Sequence, residues 1–143
     1  MPHDGAYPSY RCDHACEHTA CLPQQSVIIV LFMKQFVIDE LRPMDYEKLK
    51  NYLDARFGAA ALSGIYWMPI APEILSDIQR EHTECQPLYF ALDLNPDRIS
   101  VELLVRTKIR MRCSCMAYAT EKQCNWLMGR VDAIFDQLEI ECK

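Results

Sequence analysis

Residues 87–118 read PLYFALDLNPDRISVELLVRTKIRMRCSCMAY, and this stretch decides the fold. From Ile99 to Cys115 the odd positions are mostly apolar, whereas the even positions are mostly polar or basic. Side chains of a strand alternate between the two faces of a sheet. The pattern therefore predicts one long strand with an apolar face and a basic face.

A second alternating run precedes this strand, from Leu88 to Leu94, and the residues 95–98 between the runs (NPDR) are typical of a turn. A regular hairpin then pairs Leu94 with Ile99, Leu92 with Val101, Phe90 with Leu103, and Leu88 with Val105. This register brings the two apolar faces together. Because the second strand continues past the end of the first, we expect other strands to pair with its remainder and make it central to the sheet.

The rest of the chain contributes further strands and helices. A strand is predicted from residue 34 to 38, and another from 65 to 70 that Pro69 restricts to an edge. Helical spacing of apolar residues occurs in three segments, 45–57, 73–82 and 120–138. Gly58 is a stop for the first helix, and Thr120 with Gln123 forms a capping box for the last.

These elements predict a single α+β domain over residues 26–143. We expect a mixed or antiparallel sheet with a long central hairpin strand and about three helices packed on one face. Trp126 falls beside the apolar stripe of the last helix, which predicts a partly exposed ring.

Composition restricts the function. The chain has 143 residues and a net charge of −5, so a general affinity for nucleic acid or acidic membranes is not expected, and a basic patch would be needed. The longest apolar run, residues 27–33, is far shorter than the roughly 20 residues of a membrane helix. No signal-peptide pattern precedes it, which favours a cytoplasmic protein with mostly reduced thiols.

Residues 1–25 contain prolines, cysteines and histidines without apolar periodicity, and we expect a flexible tail. Five residues of this tail are of types that bind metals: Cys12, His14, Cys16, His18 and Cys21. Their spacing does not match a zinc motif. A further hypothesis is that Met33 is the natural start, because a regular strand opens directly after it.

The basic face of the predicted long strand carries Arg106, Lys108, Arg110 and Arg112. Such a row is either a solvated sheet face or a surface that binds an acidic partner, protein or RNA. Tyr89 would share this face, and Trp126 adds a second aromatic candidate for partner contact. The first functional hypothesis is therefore a small non-enzymatic interaction or regulatory domain.

The second hypothesis is a metal-binding or thiol redox protein. Cys113 and Cys115 point to one face, and with Cys85 and His82 they form a Cys₃His set suited to zinc. Under the regular hairpin register, however, Cys113 and Cys115 lie roughly 17 to 23 Å beyond Cys85 along the strand. A shared ion would require the chain to fold back sharply, so small core cysteines are the competing interpretation.

Familiar catalytic motifs are absent from the sequence. Its four glycines form neither a dinucleotide fingerprint nor a phosphate loop, and it lacks HExxH, GxSxG and deaminase signatures. A pocket around His82, Tyr66 and Trp67 has no supporting spacing. The sequence therefore favours a binding protein over an enzyme.

Overall fold

A computed structural model describes residues 34–60, 62 and 64–141. The predictions for the tail 1–25, its metal ligands and a start at Met33 lie outside these residues. The described chain contains a five-stranded antiparallel sheet and three α-helices. The predicted α+β class is confirmed.

The strands are β1 (Gln35–Ile38), β2 (Ile65–Pro69), β3 (Leu88–Asn95), β4 (Arg98–Glu102) and β5 (Arg106–Thr107). The α-helices are α1 (Pro43–Phe57), α2 (Asp77–Glu81) and α3 (Glu121–Gln137), and 3₁₀ turns at Pro72–Ile74 and Thr83–Cys85 flank α2. The sheet order is β1-β4-β3-β2, and β5 pairs with the start of β3. Pro69 lies on the edge strand β2, as its missing N–H requires.

The hairpin forms next to its turn as predicted. Leu94 pairs with Ile99, and Leu92 pairs with Val101. Further along, Leu88 pairs with Thr107 instead of Val105, so the second strand contains two extra residues by that point. The register prediction is therefore right near the turn and wrong at the other end of β3.

The predicted single strand from Ile99 to Cys115 is not formed. After Thr107 the chain turns and returns: the Val105 N–H donates to Ala117 O (3.0 Å), and the Ala119 N–H donates to Leu103 O (2.7 Å). We call residues 108–116 the return loop. Because β3 starts at Leu88, a strand continuing past Thr107 would have no neighbour there, and its amides would lack partners.

One face of the sheet and the helices enclose the core. On β3 the buried residues are Leu88, Phe90, Leu92 and Leu94. They pack with Leu49 and Leu53 of α1 and with Leu127 and Val131 of α3. The Phe90 and Trp126 rings are stacked, with centroids 6.5 Å apart. The opposite face carries Trp67, Tyr89 and Asp93, which are partly or fully exposed.

Two helix predictions are confirmed and one is corrected. Gly58 ends α1 with a positive φ of 83°, and Thr120 and Gln123 form the capping box of α3. The predicted helix 73–82 is instead interrupted, because Leu75 is extended and Ser76 caps the new helix α2. The helical pattern over 73–82 predicts burial of Ile78, but this residue is 52 % exposed because the helix is interrupted. Within the described residues, no helix is both long enough and apolar enough to cross a membrane.

Candidate metal centre

His82, Cys85, Cys113 and Cys115 lie together at one end of the sheet. One ligand atom from each falls within 4.8 Å of all the others. The Cys85 and Cys113 sulfurs are 3.7 Å apart, and His82 Nδ1 is 3.0 Å from Cys113 Sγ. Zn–S bonds of about 2.3 Å in a tetrahedron imply sulfur separations of about 3.8 Å. This cluster can hold a metal ion such as zinc.

The ligands come from two short segments. His82 follows the last turn of α2, and the 3₁₀ turn ending at Cys85 is closed by the Cys85 N–H donating to His82 O (3.0 Å). Cys113 and Cys115 lie in the return loop, where the Met116 N–H donates to Cys113 O (3.0 Å). Each segment thus presents a closely spaced pair, H-x₂-C and C-x-C.

The return loop removes the geometric objection raised by the sequence. A continuous strand would carry Cys113 and Cys115 away from Cys85, but the pairing of Val105 with Ala117 reverses the chain between them. The two cysteines therefore come back to the end of α2. The available signal was the occurrence of zinc-ligand residue types in two short pairs, and not the strand alternation.

Thr107 attaches the start of the return loop to this centre. Its Oγ1 donates to Cys85 O at 2.7 Å and accepts from the Ile109 N–H at 3.2 Å. Thr107 is only 6 % exposed, so both bonds are shielded from water. The backbone of one ligand residue is thus bonded directly to the strand that leads to the other two.

Gln79 attaches the end of the return loop. Its Nε2 donates to Cys115 O at 3.2 Å, and its Oε1 accepts from Gln123 Nε2 at 2.7 Å. Both glutamine side chains are buried. Buried polar groups that are fully hydrogen-bonded favour one arrangement of the segments they join.

The three thiols have different proton affinities. Hydrogen bonds from the backbone and side chain of Cys115, with smaller contributions from His82 and Cys85, lower the pKa of Cys113 to about 6. Burial raises the pKa of Cys115 to about 12 and also raises the pKa of Cys85. The Cys113 thiol therefore loses its proton more readily than the other two, and a bound dication would displace protons from Cys85 and Cys115.

Burial of the cluster is uneven. Cys85 and Cys115 are 0 % and 1 % exposed, whereas His82 and Cys113 are half-buried. His82 and Cys113 therefore form the more accessible side of the cluster.

The structure separates the four basic residues predicted to form one row. Arg106, in β5, donates to both carboxylate oxygens of Glu102 at 2.9 and 2.6 Å. Lys108, Arg110 and Arg112 lie in the return loop, where Arg110 forms an ion pair with Glu84 at 3.2 Å. The predicted basic row on one strand is wrong, although contact of these residues with a partner stays a prediction.

The two aromatic candidates also separate. Tyr89 lies on the sheet face opposite the helices, and Lys108 Nζ is 4.5 Å from its ring centroid. Trp126 is on α3 and packs against Phe90 on the helix-covered face. Tyr89 and Trp126 are therefore not parts of one surface.

The apolar residues of the return loop are not in the core. Ile109 is 60 % exposed and Met111 is 94 % exposed, although the odd-position pattern predicted burial for both. The loop leaves the sheet after Thr107, so sheet alternation no longer determines which side chains are buried.

No protein family, curated protein or solved structure matches this chain.

Proposed function

We propose that the protein binds one zinc ion through His82, Cys85, Cys113 and Cys115, and that the ion stabilises the return loop. The observation that carries this proposal is the convergence of four ligand atoms within 4.8 Å from two separate segments. Four protein ligands complete the tetrahedral shell of zinc and leave no open position for a substrate. The proposed role is structural and not catalytic.

The ligand types favour zinc over other metals. Thiolates and imidazole suit zinc, whereas magnesium and calcium prefer oxygen ligands. An iron–sulfur cluster usually uses four cysteines, and this cluster has three. Cys85, Cys113 and Cys115 are not in disulfides, which agrees with the reducing cytoplasmic location that we infer.

The stabilising role follows from how little else would hold the return loop. Ile109 and Met111 are largely exposed and contribute little burial to it. Hydrogen bonds of Thr107 and Gln79 attach its two ends, and a metal joining Cys113 and Cys115 to Cys85 would cross-link it to the turn after α2. The free energy of metal binding would then stabilise the folded loop.

The test is zinc content after exposure to stoichiometric zinc. The tail cysteines and histidines are first replaced in the full-length chain, so that they cannot contribute ligands. We expect one zinc per chain in this parent protein and in its Cys124→Ala variant, which changes a buried cysteine outside the cluster. Cys85→Ser and Cys113→Ser should each lose most of the bound zinc.

Cobalt substitution provides a second readout, because tetrahedral thiolate coordination gives characteristic absorption bands. Zinc content well below one per chain in the parent protein would overturn the proposal. Equal content in the parent and Cys113→Ser proteins would do the same.

A second candidate function is that of a non-enzymatic interaction or regulatory domain that contacts an acidic partner. The exposure of Met111 between Arg110 and Arg112 supports it, because methionine and arginine are enriched in interfaces. The quadruple variant with serine at Arg106, Lys108, Arg110 and Arg112 should bind such a partner more weakly than the wild type. Equal binding by both proteins would show that these four residues do not contribute to partner binding.

A further inference from the structure

Two aromatic rings lie side by side on the sheet face opposite the helices. Trp67 of β2 and Tyr89 of β3 meet edge to face, with centroids 6.0 Å apart and planes at 80°. Both residues are half-buried. Lys108 Nζ lies 4.5 Å from the Tyr89 centroid and 5.5 Å from the Trp67 centroid. The sequence predicted Tyr89 near the basic residues. Pairing of β2 with β3 places Trp67 beside it.

A second aromatic and cation pair lies near Arg106. Tyr118 forms a bridge with Leu104 and is 42 % exposed, and Lys34 Nζ is 5.2 Å from its ring centroid. The hydrogen bond with Glu102 is the main cause of the raised pKa of Arg106, and the nearby Tyr118 contributes a smaller effect. Aromatic rings therefore flank Arg106, with Tyr89 opposite it in the sheet and Tyr118 on the adjoining segment.

The charge of this region differs from that of the whole chain. Within the described residues, Lys34 and Lys108 form no ion pair with a carboxylate. Asp93 and Asp97 lie at the other end, near the β3–β4 turn. At the β5 end of the sheet, Lys34 and Lys108 therefore hold a positive charge beside the rings of Tyr118, Tyr89 and Trp67.

We propose that Trp67, Tyr89 and Tyr118, with Lys34 and Lys108, form a binding surface for single-stranded nucleic acid. Bases stack on aromatic rings whatever their sequence, and neighbouring cations contact the phosphates. A duplex keeps its bases stacked inside and cannot use the rings in this way. An acidic protein segment would use the cations but has no need of three aromatic rings.

Lys108 has a specific part in this surface. Its ammonium now lies over both rings, and a phosphate would compete for that charge. Binding therefore moves Lys108 from the rings to the phosphate and leaves the rings free to stack with bases. The inference goes beyond the zinc site, because Trp67, Tyr89, Tyr118 and Lys34 lie outside the return loop.

The test is fluorescence anisotropy with the full-length protein and labelled strands of about 20 nucleotides, as RNA, as DNA and as an RNA duplex. We expect both single strands to bind at about 50 mM salt and the duplex to bind at least about tenfold more weakly. Affinity should fall as salt rises to about 200 mM, because phosphate contacts release counterions.

Two substitutions with matched controls test whether Trp67 and Lys108 contribute to binding of the single strand. Trp67→Thr should weaken binding about fivefold or more, whereas Val37→Thr, on the same face but at edge strand β1, should not. Lys108→Gln should weaken binding and reduce the salt dependence, whereas Lys50→Gln on α1 removes the same charge without effect. Circular dichroism and zinc content of Trp67→Thr show whether the fold and the metal centre are intact.

The tryptophans provide a direct readout of stacking. The chain has two, Trp67 and Trp126, so Trp126→Phe leaves Trp67 as the only tryptophan. Its fluorescence should be quenched when a single strand binds. Absence of binding at low salt, equal affinity for the duplex, or unchanged affinity of Trp67→Thr would overturn the proposal. So would equally tight binding of poly-glutamate, which would assign the surface to an acidic protein.

Discussion

Gln123 Nε2 donates to Gln79 Oε1 across 2.7 Å, and both side chains are almost fully buried. Each glutamine also completes the capping box of its own helix, with Thr120 in α3 and Ser76 in α2. Gln79 Nε2 in turn donates a hydrogen bond to Cys115 O. Two local capping motifs are therefore joined into one polar connection between the start of α3 and the candidate metal centre.

Gln79→Leu should weaken zinc binding about 10- to 100-fold, because Cys115 loses the hydrogen bond that orients its backbone. The free energy of unfolding should fall by about 1–3 kcal/mol, since the buried Gln123 amide keeps its bond to Ile74 O but loses the one to Gln79. Chelator competition measures the first effect and urea unfolding the second. Gln137→Leu, at the exposed end of α3, is the control, and zinc affinity equal to that of the wild type in both variants would contradict the role of Gln79.

Removal of zinc should loosen the return loop without unfolding the sheet. The metal would cross-link Cys113 and Cys115 to Cys85, while β3 is held by its own pairing with β2 and β4. Adding a chelator should therefore increase hydrogen exchange at residues 108–116 and 82–86. Exchange in β3 should stay the same with and without the chelator. Cys113→Ser should show the same exchange pattern without chelator. Exchange that increases equally throughout the chain would show that the ion holds the whole domain together.

Two methionines provide a matched test of where the core ends. Met111 is 94 % exposed in the return loop, whereas Met68 of β2 is 2 % exposed beneath the helices. Met68→Ala should lower the free energy of unfolding by about 2–5 kcal/mol, and Met111→Ala should change it by less than about 0.5 kcal/mol. Urea unfolding decides this, and equal losses in both variants would indicate that Met111 is buried as a continuous strand requires.

Tyr66 should make stability fall at alkaline pH. Burial, together with the hydrogen bond that its hydroxyl donates to Asp54 at 2.7 Å, raises the pKa of Tyr66 to about 12. The unfolded chain loses this proton near pH 10, so the stabilisation is complete below about pH 10 and is lost as pH rises towards 12. Thermal unfolding of the wild type and Tyr66→Phe measures it. The slope over this range should be smaller in Tyr66→Phe, and equal slopes would contradict the assignment.

The sequence by itself determined the class of the fold, the pairing next to the hairpin turn, the cap of α3 and the types of the four ligands. Each of these depends on residues close together in the chain: alternation in β3 and β4, turn residues between them, and Thr120 three positions before Gln123.

Only the tertiary structure decided where the second strand stops and what the return loop does. Alternation continues to Cys115, but a strand needs a neighbour for its amides, and β3 provides one only as far as Thr107. Whether another strand pairs with the remainder depends on segments far away in the sequence, and β1 and β2 pair elsewhere in the sheet. The resulting reversal brings Cys113 and Cys115 to His82 and Cys85, and strand pairing brings Trp67 to Tyr89.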